Sequence, residues 1–183
     1  MERRLAFAHG RALAYGRIVA FLAIGVLVTV VIAFSTSATL EVVLFAAVVL
    51  GTVFVVFCAS PLVSQHWLLR SRVIVRQGWY FRAVLPFAEV RSVAPAEDLA
   101  PHRVPLGVHR LLGRPTLFVT AGRTGLVRIH LTRPRRFLQA FGLRASEIVL
   151  DVSDPSAFVA AFEERVALFA PVQPDRADAD FRD

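Results

Sequence analysis

The side chains that could do chemistry are few. Five histidines stand at His9, His66, His102, His109 and His130, and Cys58 is the one cysteine. No histidine belongs to an HExxH pair or a Cys/His pair, and none sits beside a carboxylate cluster, so no metal centre is expected. A single cysteine excludes an internal disulfide and a cysteine-based cluster. There is no Gly-x-Ser-x-Gly elbow, no phosphate loop and no dinucleotide fingerprint. Glu97-Asp98 reads as a solvated loop pair. The chain is therefore expected to catalyse nothing and to carry no cofactor.

What remains is arginine. All 21 basic residues are arginine, which excludes lysine chemistry, and the formal charge is +7. Between residues 65 and 171 there are fifteen arginines against eight acids. Arg70, Arg72, Arg76 and Arg82 are expected on one face of a first β-hairpin, a few residues from an apolar run. Each could attract an anionic headgroup by ~1 kcal/mol near a membrane surface. The plainer reading is that they set topology and stay solvated. A second group lies in 102–114 (HRVPLGVHRLLGR), where Arg103, His109, Arg110 and Arg114 alternate with apolar residues. That segment could lie on a bilayer, dock a partner, or cover the core with its leucines. Arg133, Arg135 and Arg136 make a third cluster. Nucleic acid fits poorly, because no aromatic-interleaved motif or recognition module accompanies the charge.

Two elements must position these residues. Apolar residues make up 56% of the chain and mean hydropathy is +0.58, values that exclude disorder and point to a membrane class. Residues 18–34 and 42–60 are uncharged and close to the ~20 residues a spanning helix needs. Spans of about 18–35 and 41–62 are predicted, joined by a short link without arginine. Arg3, Arg4, Arg11 and Arg17 precede the first span; Arg70, Arg72 and Arg76 follow the second. The positive-inside rule then places both termini in the cytoplasm of an inner-membrane hairpin. A cleavable signal is the rival reading, but a second span follows at once and the first is long for a signal. Cys58 reads as a small apolar residue in the second span, and Ala47 with Gly51 permits close helix contact.

From residue 65 to 171 the pattern is that of a small mainly-β domain. Residues 67–76 alternate as one strand; Gln77-Gly78-Trp79-Tyr80 supplies a turn; 81–87 alternate again. Residues 90–95 suggest a further strand, 116–120 and 125–131 a second hairpin, and 147–152 a last strand. Asp154-Pro155 opens a helix to about Phe169, with Phe158, Phe162, Val166 and Phe169 as its apolar stripe and Glu163 and Arg165 off it. PRRFLQAF (134–141) echoes PSAFVAAF (155–162) as a Pro-initiated helical start. Residues 1–17 read as a separate basic cytoplasmic segment, and 172–183 as a disordered tail.

The run 72–93, with Gly78, Arg82, Leu85, Pro86, Val90, Ser92 and Val93 in order, resembles the bacterial pleckstrin-homology-like (PH-like) domain membrane proteins. The ending Asp154-Pro155 with Phe158-Val159 is similar too, so the resemblance covers about 65–170. It implies two bent antiparallel sheets with a helix plugging one corner. It does not bring phosphoinositide binding with it, because the hairpin loop is short and flanked only by Arg76 and Arg82. The expectation is a non-catalytic integral membrane protein that presents this domain to a protein partner or a second copy. A salt-sensitive reader of anionic lipid is the alternative.

Overall fold

The computed structural model describes residues 5–35, 39–110, 113–140 and 142–169. The two apolar runs are helices. Helix α1 spans Ala12–Phe34, and α2 spans Leu40–Val53. A wide π turn, Phe54–Ala59, carries α2 into a last short helix, α3, Ser60–Val63. Two stretches, Ala12–Ile32 and Leu40–Val63, are long and apolar enough to cross a membrane, with mean hydropathies of 2.3 and 2.9. They are 0% and 6% buried, which a core helix of a soluble domain would not be. They run antiparallel, with Phe21 against Phe54 at 5.0 Å. Ala47 and Gly51 do not serve the hairpin by close packing, since a Cβ on Gly51 would meet nothing within 4 Å. Helix α1 begins six residues before the expected span. Leu13 and Ala14 are buried, and Leu13 N–H donates to the Ala121 carbonyl at 2.8 Å, so this first turn belongs to the β domain's packing.

The π turn has a cause in the sequence. Pro61 has no N–H, so Phe57 loses its helical donor. Ser60 N–H reaches back to Val55 rather than Val56. The freed Val56 carbonyl accepts the Ser60 hydroxyl, and the freed Phe57 carbonyl accepts Arg17 Nη1 at 2.9 Å. Both freed carbonyls thus find a side-chain donor, as backbone in an apolar setting requires.

Among the described residues, nine strands form two sheets. The first has order β1-β2-β3-β4, from Leu5–Phe7, His66–Leu68, Arg72–Gln77 and Phe81–Pro86. The second has order β5-β8-β9-β7-β6, from Val90–Pro95, Leu126–Phe137, Leu143–Asp151, Thr116–Thr120 and Gly107–Arg110. Several expectations need correction. The stretch 67–76 is two strands, because Leu69 N–H bonds to the Arg72 carbonyl at 2.9 Å and the chain reverses there. The 116–120 and 125–131 strands are not a hairpin, since β9 lies between them. The sheets are not wholly antiparallel: β7 and β9 pair in parallel, Thr116 opposite Glu147. Residues 134–137 continue β8 through Pro134, and only Leu138–Ala140 make a helical turn. The strand tolerates Pro134 at a bulge, where its pairing with β9 shifts between His130 and Arg135. Residues 1–17, set apart in the sequence, supply β1, which pairs Leu5 with Leu68 and Phe7 with His66. The tail at 172–183 lies outside the described residues.

The inner faces of both sheets share one core, with Val73, Val75, Phe81, Leu85, Ile129 and Ile148 among its buried residues. Helix α4, Pro155–Phe169, closes it. Phe158 and Phe162 are buried, and Phe158 meets Phe7 edge-on at 4.9 Å. Each such ring is worth ~2 kcal/mol by area. Arg165 is not off the stripe: it is buried, and Nη1 donates to the Leu68 carbonyl at 2.6 Å. The helix starts as read, with the Asp154 carboxylate accepting Ala157 N–H at 2.9 Å. Asp154→Ala should therefore cost about 1 kcal/mol, read as a fall of a few degrees in the thermal midpoint of the full chain in micelles; an unchanged midpoint would deny the cap its role.

Candidate functional site

Where the N-terminal segment, the end of the second apolar helix and the β domain converge, polar side chains gather. His9 Nε2 lies 3.0 Å from Ser64 Oγ, and its Nδ1 lies 3.1 Å from the Gly10 carbonyl. Ser64 Oγ donates to the Pro61 carbonyl at 3.1 Å and accepts Gly78 N–H at 2.9 Å. Gly78 has φ 61°, a left-handed turn that a side chain would strain, and a Cβ there would strike Ser60 Oγ. Asp151 clamps two backbone segments, accepting Gly10 N–H at 2.6 Å and Ala121 N–H at 2.7 Å. Beyond it, Gly10 and Gly122 touch backbone to backbone, and a Cβ on Gly10 would lie 2.7 Å from Gly122 Cα.

Electrostatics here follow burial. His66 is fully buried, and its Nδ1 accepts Arg76 N–H at 3.2 Å. Burial, helped by the charge of nearby His9, lowers its pKa from 6.5 to about 3. Burial also pushes the Asp151 carboxyl above its ordinary range, against the pull of its two N–H donors. Tyr80 is raised by burial too, although Arg17 Nη1 donates to its hydroxyl at 2.9 Å. Tyr80 stacks on Phe57 at 5.4 Å, so Arg17, Phe57 and Tyr80 bind the two helices to the β3–β4 turn.

This junction ties the N-terminal segment, the second apolar stretch and the β domain together. The Ser64 hydroxyl is shared among three segments, donating to the Pro61 carbonyl with His9 Nε2 and Gly78 N–H beside it. Among the described residues, no group of three His, Cys, Asp or Glu could hold a metal ion. The histidine spacing in sequence gave no hint of the pair His9–His66, whose rings lie 5.4 Å apart although 57 residues separate them. Arg17, read only as a topology signal, turns out to be the bolt of the junction.

The arginines divide. Arg72, Arg76 and Arg82 do share the outer face of the first sheet, with Arg76 directly opposite Arg82 and Arg72 opposite Pro86. Arg70 stands in the β2–β3 turn instead, exposed. Arg76 is half-buried over the Trp67 ring at 4.8 Å. In the 102–114 segment, Arg103 ends a short helical turn, and His109 and Arg110 lie exposed on β6. Arg110 Nε donates to the Arg114 carbonyl at 3.1 Å. Val104 is buried with Ala96, Phe118, Leu126 and Val149, so this part covers a core; Leu111 and Leu112 lie outside the described residues. Arg135 pairs with Glu89 at 2.6 Å. Arg128 bridges Asp98 at 2.8 Å and Glu147 at 3.0 Å, and the Arg128 guanidinium holds the Asp98 carboxyl below its usual range.

No family model, no curated protein and no solved structure matches this chain.

Proposed function

We propose that this chain is a non-catalytic integral membrane protein whose apolar hairpin holds a PH-like β domain against the cytoplasmic face of the inner membrane. There it offers an interaction or assembly surface to a protein partner or to a second copy. The observation that carries the reading is the β6 edge. One end of the second sheet is Gly107–Arg110, which among the described residues pairs with β7 alone, and His109 and Arg110 are exposed on it. An open strand edge recruits another strand by main-chain hydrogen bonds. The Arg17–Tyr80 and Asp151–Gly10 clamps support the reading, since they hold that edge at a constant height above the helices. The test places a photocrosslinking residue at His109 in the full chain in its own membrane, with exposed Arg91 on β5 as control. A discrete heavier species from position 109 alone is expected. Monomer only, or the same species from both positions, would sink it.

A second reading, anionic lipid recognition, is favoured by the register that lines up Arg72, Arg76 and Arg82. Salt separates the two, because exposed charge is screened and a packed strand pairing is much less so.

A further inference from the structure

The turn between β8 and β9 is locked against the edge strand β4. Arg82 N–H donates to Gln139 Oε1, and Arg135 Nη1 donates to the Val84 carbonyl at 2.8 Å. Between them lies a shallow cavity of about 270 Å³ lined by Arg82, Arg135, Arg136, Leu138 and Gln139.

Three features of this place stand out together. First, its charge is uncompensated. Arg136 is directly opposite Arg144 on β9, and Arg82 is directly opposite Arg76 on β3. Like charges across a strand pair are destabilising unless something neutralises them. Arg135 is already matched by Glu89, whereas the exposed side chains of Arg82, Arg136 and Arg144 have no carboxylate partner among the described residues. Second, apolar side chains flank it in the open. Leu138 is 83% exposed at the lip of the cavity, and Trp79 is 63% exposed two residues after Gln77 in the adjoining turn. Third, it lies at the foot of the helices. Trp79 N–H donates to Ser60 Oγ at 3.1 Å in the last turn of the second apolar stretch. Arg82 follows Tyr80 by two residues, ~7 Å along the strand.

We propose that this cavity holds the phosphate of an anionic phospholipid headgroup from the bilayer that the chain's own helices cross. Arg82 and Arg136 supply the charge, and Arg144 stands opposite Arg136 on β9. Leu138 enters the acyl boundary, and Trp79 lies at headgroup level, where indole rings collect. Two arginines brought from different sheets to one cavity suit a phosphate better than a planar carboxylate, which one guanidinium satisfies alone. Nucleic acid would need the charge without the greasy lip.

The inference rests on the helices spanning a bilayer, and that premise is checked separately, by carbonate extraction of membranes containing the full chain. The site itself is read on the full chain in detergent micelles, by native mass spectrometry with phosphatidylglycerol or phosphatidylcholine of the same chain length. Phosphatidylglycerol should be retained in preference. Each arginine is worth roughly fivefold near a membrane surface, so Arg82→Ala with Arg136→Ala should weaken retention by roughly 25-fold. The remote pair Arg110→Ala with Arg114→Ala should leave it unchanged. Arg82→Lys with Arg136→Lys keeps the charge and should hold most of the binding, which separates lost charge from a lost fold. Equal retention of both lipids overturns the proposal. So does a lysine pair as weak as the alanine pair, a remote pair as harmful as the local one, or preferential capture of a single-stranded oligonucleotide over phosphatidylglycerol.

Discussion

Acidifying the full chain from pH 7 to pH 4 should remove about 3 kcal/mol of stability, with His66 as the main cause. In the folded chain His66 is buried and its pKa is about 3; in the unfolded chain it returns to 6.5. Between those values the unfolded state takes up a proton that the folded state refuses. Stability from His66 is therefore complete above pH 6.5 and falls as pH drops toward 3. Asp151 acts with the opposite sign. Its folded pKa lies above 3.8, so the folded state takes its proton first as the pH falls, and this part of the stability is lost on raising the pH. The Asp151 contribution blunts the acid loss near the bottom of the range but cannot start it at pH 6.5. The measurement is the thermal midpoint in micelles at pH 7, 5.5 and 4, where roughly 6–12 °C should be lost for a chain of this size. His66→Asn keeps an acceptor for Arg76 N–H and cannot titrate. It should flatten the profile between pH 6.5 and 4. A variant with the same acid slope as the parent would assign that slope to other groups.

What the sequence disclosed and what it hid divide along physical lines. Uncharged runs made the two helices legible, because length and hydropathy are local properties. The turn at Gly78 and the Asp154-Pro155 start were legible for the same reason: each is written within four residues. The parallel pairing of β7 with β9 was not. Alternation says which face of a strand is buried and nothing about which strand lies beside it. The reversal at Leu69–Ser71 was hidden because apolar and polar residues kept alternating straight through it. Arg165 was misplaced because its acceptor, Leu68, is 97 residues away. The arginine face was half legible: strand period put Arg72, Arg76 and Arg82 together, but that same period wrongly included Arg70, which the turn removes. Arg136 and Arg144 could not be paired until the β8–β9 register was known.

The β domain cut out as residues 64–171 should lose about 5 kcal/mol and fail to unfold cooperatively at the midpoint of the full chain. The excised piece ends one strand short. Strand β1 would be missing from the edge of the first sheet, and Phe158 would lose Phe7. Ser153 N–H would lose the Ala8 carbonyl, at 2.8 Å, and Ala121 O would lose Leu13 N–H. Asp151 would remain buried with one of its two donors gone. The three hydrogen bonds outside the β1–β2 ladder, at about 1 kcal/mol each, and the partly buried side chains of Leu5 and Phe7 give the estimate. A deletion alone could act by exposing any sticky surface, so the decisive arm adds a peptide of residues 3–13 in trans. It should raise the thermal midpoint in a saturable way. The same peptide with Gly10→Ala should not, because the new Cβ would lie 2.7 Å from Gly122 Cα and 3.0 Å from Asp151 Oδ2. An excised domain as stable as the full chain would show that the N-terminal strand merely rests on it. Rescue by one peptide and not the other has a further consequence. A domain completed by the chain that runs straight into α1 is no module on a flexible tether. Its arginine cavity and its β6 edge are then both carried at a height set by the helices.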